Sequence, residues 1–248
     1  MHKVHFRFYE ELNDFLPDSK KKNRFEHFYI DRASVKDMVE ALGVPHTEID
    51  LILVNGKSVN FKYIVSDGDD ISVYPVFESL DISNVQHLRP KPLREPRFVV
   101  DEHLGKLARC LRMLGFDACY KNNYNTDELV EISLDEKRTI LTKNKNVLKR
   151  SEVTHAYFVR NLGIENQVKE IITRFDLQNE INEFTRCLEC NGLLLAIKKE
   201  TIIDQIPSKV ADWLDTFFRC SNCHKIYWQG THHQKMNSFV QSIKNFDL

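Results

Sequence analysis

The chain has no long apolar run and almost no net charge. No stretch approaches the ~20 consecutive apolar residues that a membrane-spanning helix needs. The N-terminus, MHKVHFRFYEEL, alternates polar and apolar residues and carries charge throughout, unlike the apolar segment of a signal peptide. These two absences lead us to expect a cytoplasmic protein with no membrane partner. Lys and Arg number 35 against 36 Asp and Glu, a net charge of −1, so there is no global pull toward nucleic acid and any basic surface must be local. Internal repeats and low-complexity tracts are also missing. What is present is apolar content of 42% in 248 residues, enough to build a sizeable core in two or three compact units.

Residues 1–78 read as a small α+β unit. KVHFRFY and FEHFYI alternate at period two, as half-buried strands do. SVKDMVEALGV then places Val35, Met38, Val39 and Leu42 on one helical face, with Ser34 able to cap its start and Gly43 its end. DLILVNGKSV is a strand entering an Asn55-Gly56 turn, a strong hairpin signal, and GDDISVYPVF closes the unit. Residues 79–96, with three prolines and no period, read as a linker. From 97 to 178 strands alternate with helices: RFVV, a helix carrying Leu104, Leu107, Ala108, Leu111 and Leu114, then NTDELVEISLDEKR, TILT, a short helix in KNKNVLKR, THAYFV, and an amphipathic helix with Val168, Ile171, Ile172 and Phe175 inside. That alternation predicts an α/β domain on a parallel sheet.

The region 179–248 is marked by two Cys-x-x-Cys pairs, Cys187/Cys190 and Cys220/Cys223. Each pair sets two thiolates on one tight turn, and four thiolates can complete a tetrahedron around Zn²⁺ at ~2.3 Å. A closed Cys₄ shell has no open position, so its role would be structural. Redox dithiols or unrelated core cysteines are the other readings of the same spacing. Cys110 and Cys119 read as small buried apolar residues.

Candidate chemistry sits in the middle of the chain. Asp101 ends the strand RFVV, where open α/β sheets place their ligands. Asp127 opens a later helix beside Glu128. Two such carboxylates together would repel one another, and a hard cation, Mg²⁺ or Mn²⁺, relieves that and can activate water for phosphodiester attack. Alternatively, Asp101 is a helix cap and Asp127 answers the helix dipole. Lys106, Arg109 and Arg112 read as the polar face of the first helix, and Lys143, Lys145, Lys149 and Arg150 cluster after TILT. Between Arg89 and Arg160 there are 15 Lys and Arg against 10 Asp and Glu, so this middle region is positive although the whole is not. Such cations suit a phosphate backbone or only a solvated face. Trp228 and Tyr227 could stack on a base or pack against their own strands, while His232 and His233 read as surface or phosphate-contacting.

The strings RFVVDEHLGKLARCLRMLGFD, RTILTKN, FTRCLECNGLL and FFRCSNCHKIYWQGTHHQKM resemble the Mut-seven C-terminal RNase domain family, a PIN-like nuclease fold with an appended zinc ribbon. DGDDISVYPVFESLDI is similar to the end of the ubiquitin-like β-grasp domain found ahead of it. The resemblance covers nearly the whole chain. It implies a ribonuclease acting on RNA with catalytic Mg²⁺ or Mn²⁺, in which Asp101 and Asp127 hold the ion. Lys106, Arg109 and Lys143 would contact the nucleic acid, and Cys187, Cys190, Cys220 and Cys223 would hold Zn²⁺. Family members commonly carry Thr-Arg-Asp after the third strand; this chain has Thr142-Lys143-Asn144, so Asn144 would be a neutral third ligand and cleavage would be weakened. The alternative is an RNA-binding protein on a nuclease fold. The β-grasp unit lacks a free Gly-Gly end, which argues against conjugation and for a module that docks a protein partner or RNA.

Overall fold

In the computed structural model residues 1–75, 88 and 96–246 are described. The linker expected over 79–96 lies outside the described residues, apart from Leu88 and Pro96. The chain divides into two compact units, Met1–Arg94 with Asn144–Phe158, and Glu95–Lys143 with Val159–Leu248.

The first unit is a mixed sheet holding one helix. Strands β1 (His2–Phe8), β2 (Phe25–Tyr29), β3 (Ile49–Val54), β4 (Lys57–Ser58) and β5 (Asp70–Pro75) lie in the order β2-β1-β5-β3-β4, with β1 and β5 parallel. Helix α1 (Val35–Ala41) starts on a capping box in which the Ser34 hydroxyl accepts from the Asp37 amide and Asp37 reaches back to Ser34. Gly43 leaves the helix at φ 100°. Asn55 and Gly56 both hold positive φ, 50° and 78°, as a two-residue hairpin turn demands. Phe6, Phe8, Leu12, Val39, Ile52 and Ile71 are buried between sheet and helix.

The second unit begins with β6 (Arg97–Val100), α2 (Gly105–Met113), β7 (Asp117–Cys119), α3 (Thr126–Glu136) and β8 (Thr139–Thr142). These strands are parallel and run β7-β6-β8. The chain thus steps one way from β6 to β7, then back past β6 to β8. That reversal is the switch point at which open α/β sheets bind ligands, just beyond the strands' carboxyl ends. Val99, Val100, Ile140 and Leu141 are fully buried, as a sheet covered on both faces requires.

Residues 144–158 return to the first unit as α4 (Lys145–Leu148) and β9 (Ala156–Phe158). There the buried His46 ring joins the Val153 carbonyl at 2.9 Å and the Glu40 carboxylate at 2.6 Å. The Glu48 carboxylate accepts from the Phe158 amide at 2.7 Å. The second unit resumes with α5 (Ile164–Arg174), whose Val168, Ile171 and Ile172 are buried as their spacing predicts, and α5 packs on α2. An antiparallel sheet follows, β10 (Leu194–Ile197), β11 (Phe217–Cys220) and β12 (Ile226–Trp228), with α6 (Ser208–Trp213) between the first two strands. Helix α7 (Thr231–Lys244) ends the described chain against α5, and the Gln178 amide donates to the Lys244 carbonyl at 2.7 Å. No helix among the described residues is long and apolar enough to cross a membrane.

Candidate metal centre and adjoining cleft

The two cysteine knuckles are built alike. In each, the first cysteine's amide bonds to the carbonyl five residues on: Cys187 to Gly192 at 2.7 Å and Cys220 to Lys225 at 2.9 Å. In each, the residue after the second cysteine turns left-handed, Asn191 at φ 70° and His224 at φ 59°. Amides of Asn222 and Cys223 point at the Cys220 sulfur, both at 3.4 Å. All four sulfurs lie within 4.8 Å of one another, with Cys187 and Cys223 at 3.6 Å and Cys190 and Cys220 at 3.3 Å. Thiolates around zinc at ~2.3 Å would sit about 3.8 Å apart, close to these separations, so the set suits a tetrahedral ion. Burial resists ionisation of Cys190, but the Gly192 amide and the neighbouring thiols bring it down to about 6. His232 and His233 take no part in this set. Cys110 and Cys119 are half-buried; burial pushes the Cys110 thiol up to about 11, and the Cys119 sulfur meets the Tyr124 hydroxyl at 3.2 Å.

Arg112 corrects the sequence reading of a polar helix face. It is only 3% exposed. Its guanidinium donates to the carbonyls of Ala118 at 2.8 Å, Leu188 at 3.1 Å and Glu189 at 2.8 Å, tying α2 and β7 to the first knuckle. Beside it, Asn191 accepts from the Ala118 amide and donates to Asp117 at 2.7 Å. Burial raises the Asp117 carboxyl, but hydrogen bonds from Arg138 and Asn191 and the charges of Arg138 and Arg186 more than offset this and hold it below its usual range. Replacing Arg112 with Ala strands three carbonyls, at roughly 1–3 kcal/mol for each that stays dry. Arg112→Ala should therefore lower the urea midpoint by an amount worth on the order of 3 kcal/mol, whereas Arg109→Ala, at an exposed position on the same helix, should leave it nearly unchanged.

Asp101 follows β6 at the switch point and is 4% exposed. One carboxylate oxygen accepts from the Thr142 hydroxyl at 2.5 Å. The other accepts from the His103 amide at 2.9 Å and lies 2.8 Å from the His103 ring nitrogen. The side chain thus caps the short turn after β6, as the simpler sequence reading has it, and it also joins β8 to β6. The Asp101 hydrogen bond, and then its charge, raise the His103 imidazole above its usual value. His103, Lys106, Arg109, Tyr120, Asn122 and Glu189 line a cleft of about 740 Å³. Tyr120 donates to the Glu102 carbonyl at 3.0 Å and crowds Gly105, where any Cβ would collide with the phenol.

The other expected site residues are placed as follows. Asp127 is exposed in the first turn of α3, beyond the carboxyl end of β7. Asp101 and Asp127 each follow the carboxyl end of a parallel strand, β6 and β7. Glu128 closes a capping box with Asn125, at 2.8 and 2.9 Å. The Lys143 ammonium donates to the carbonyls of Val159 at 3.1 Å, Arg160 at 3.5 Å and Asn161 at 2.9 Å, and so secures the 159–161 turn. Asn144 caps α4 by accepting from the Asn146 amide at 3.0 Å, and it falls in the first unit. Among the described residues, three or more His, Cys, Asp or Glu gather within ligand range only at the four cysteines. What Asp101 offers a hard cation is a buried carboxylate with a hydroxyl beside it. That oxygen chemistry suits Mg²⁺ or Mn²⁺ bound in the loose manner that leaves several waters in place. Thr142, His103 and Tyr120 escape the sequence reading, because no spacing singles out a hydroxyl or imidazole whose partner is fixed only by tertiary structure.

A family model for the Mut7-C RNAse domain matches residues 96–240, and one for the Mut7-C ubiquitin domain matches residues 1–81. The chain belongs to the Mut7-C RNAse domain family. No curated protein and no solved structure matches it. The Mut7-C domain accounts for the parallel sheet and the cysteine set together. The Mut7-C ubiquitin domain accounts for the mixed β-grasp sheet.

Proposed function

We propose that the second unit is a divalent-cation-dependent ribonuclease that cuts RNA phosphodiesters in the cleft beside Asp101. One observation carries this reading: a buried carboxylate at the switch point, linked through His103 to a cleft that Lys106 and Arg109 also line. Lys106 and Arg109 would neutralise the phosphates on either side of the scissile bond, and His103, whose imidazole Asp101 raises above its usual value, lines the same cleft. Thr142 fixes the rotamer of Asp101. When bound, a Mg²⁺ or Mn²⁺ ion supplies charge neutralisation at the phosphate and acidifies a water. Asp101 would hold it, with Asp127 as the second carboxylate. Zinc at the cysteine set would be structural. The β-grasp unit would serve as a docking module for a protein partner or RNA, and the protein would act in the cytoplasm.

A second reading, RNA binding with little cleavage, is favoured by Asn144, which brings no charge where relatives carry an acid. The two are separated with end-labelled single-stranded RNA and Mn²⁺ or Mg²⁺. The ribonuclease reading expects cleavage by zinc-loaded protein that requires added Mn²⁺ or Mg²⁺ and is lost in Asp101→Asn. Salt-sensitive binding without cleavage, converted to cleavage by Asn144→Asp, would establish the second reading instead.

A further inference from the structure

Away from the cleft beside Asp101, the second unit holds a cavity of about 670 Å³ whose walls include Phe184, Phe218, Tyr227, Trp228, His233 and Met236. Its rings are held by separate tethers. Phe184 has φ 59°, a left-handed conformation uncommon for a bulky side chain and retained only where the surroundings impose it. Its amide bonds to the Met113 carbonyl at 2.9 Å, and its ring centre lies 4.4 Å from that of His233. The Tyr227 hydroxyl is fixed to the Cys187 sulfur at 3.1 Å. Trp228 packs against the apolar cluster of Ile202, Ile206, Ala211 and Phe217.

The rest of the lining identifies the occupant. The amide-bearing residues Asn182, Gln229 and Asn237 lie at exposed positions on the rim, Arg186 lines the wall with its guanidinium donating to the Gly115 and Asn191 carbonyls at 3.1 and 3.0 Å, and the one carboxylate, Glu183, is already paired with Lys244 at 3.1 Å. A flat heterocycle with mixed donor and acceptor edges lays its face on the rings and turns its edge to the rim, and the cavity, several times the volume of one base, leaves room for the attached sugar and phosphate. We propose that this pocket receives one unpaired nucleobase of a bound RNA strand, stacked among Phe184, His233 and Trp228. The identity of the strand as RNA rests on the ribonuclease reading; the stacking site itself rests on the pocket.

The test uses the full chain carrying Trp213→Phe, so that Trp228 is its sole indole, titrated without divalent cations with 5′-AMP and with a short oligoadenylate. Saturable quenching of Trp228 is expected. Stacking is worth enough per base that Phe184→Leu should weaken binding roughly tenfold or more, while Phe184→Tyr restores it. His233→Leu gives an independent variant should Phe184→Leu lower the melting temperature. No saturable quenching, or equal affinity in the Leu and Tyr variants, overturns the proposal. Asp101→Asn separates the two readings. If quenching survives while no preparation cleaves RNA, the pocket stands and the ribonuclease reading fails; if cleavage proceeds with no quenching, the pocket proposal fails alone.

Discussion

Stripping the metal from Cys187, Cys190, Cys220 and Cys223 is expected to unfold the ribbon and leave the β-grasp sheet intact. The buried apolar cluster of this region comprises Ile202, Ile206, Ala211 and Phe217, and Leu193 and Leu195 beside the first knuckle are exposed. So small a core offsets little of the entropy of ordering its strands. Structural zinc contributes an apparent ~10–16 kcal/mol in small Cys-rich modules, which is comparable to or greater than the whole stability of an ordinary domain. Chelation should therefore shift Trp228 emission to the red and remove protection of the β10–β12 amides from hydrogen exchange, with β1–β5 amides unchanged. Cys187→Ser should do the same without a chelator. The damage should spread to α2 and β7, because Arg112 donates to Leu188 and Glu189 in the knuckle itself. A ribbon that keeps its exchange protection after complete metal removal would contradict this.

Asp101→Asn is expected to lower RNA cleavage by about a hundredfold or more, the scale of losing a central charged group in a preorganised site. The substitution is nearly isosteric. Asparagine keeps an oxygen that can accept from the Thr142 hydroxyl or the His103 amide, so the fold should lose only on the order of 1 kcal/mol. Binding of RNA should change far less than cleavage, since Lys106 and Arg109 remain. Thr142→Val provides the finer control: the carboxylate stays but its rotamer is no longer fixed, and a loss of about tenfold to a hundredfold is expected, as for groups that orient a metal-bound side chain. Equal turnover by wild type and Asp101→Asn would remove the carboxylate from the chemistry.

Much of the architecture was legible because local chemistry specified it. Asn55-Gly56 demanded a hairpin, Ser34 and Gly43 bracketed α1, and the periodicity of α2 and α5 marked their buried faces correctly. The two knuckles were legible because Cys-x-x-Cys spacing forces two sulfurs onto one turn. Arg112 was not, since a basic residue at a solvent-facing helical spacing looks like every other until the carbonyls of a distant knuckle become its partners. Helix α7 was also hidden. It begins at Gly230 with no side-chain cap and its first turns are the polar Thr-His-His-Gln-Lys, so only the late stripe of Met236, Phe239, Val240 and Ile243 announces it. Beside the cleft, Asp101 was visible from its place after RFVV. The hydroxyl and imidazole that hold it depend on β8 lying beside β6, a relation no single segment encodes.

Manganese binding followed by electron paramagnetic resonance probes the Asp101 site without reference to turnover. Free Mn²⁺ gives a sharp signal that falls as the ion binds, and the titration is run on zinc-loaded protein so that the cysteine set is already filled. Wild type should remove one loosely held equivalent from solution, and Asp101→Asn should not. Identical binding curves for the two proteins would place the cation elsewhere and contradict the role assigned to Asp101.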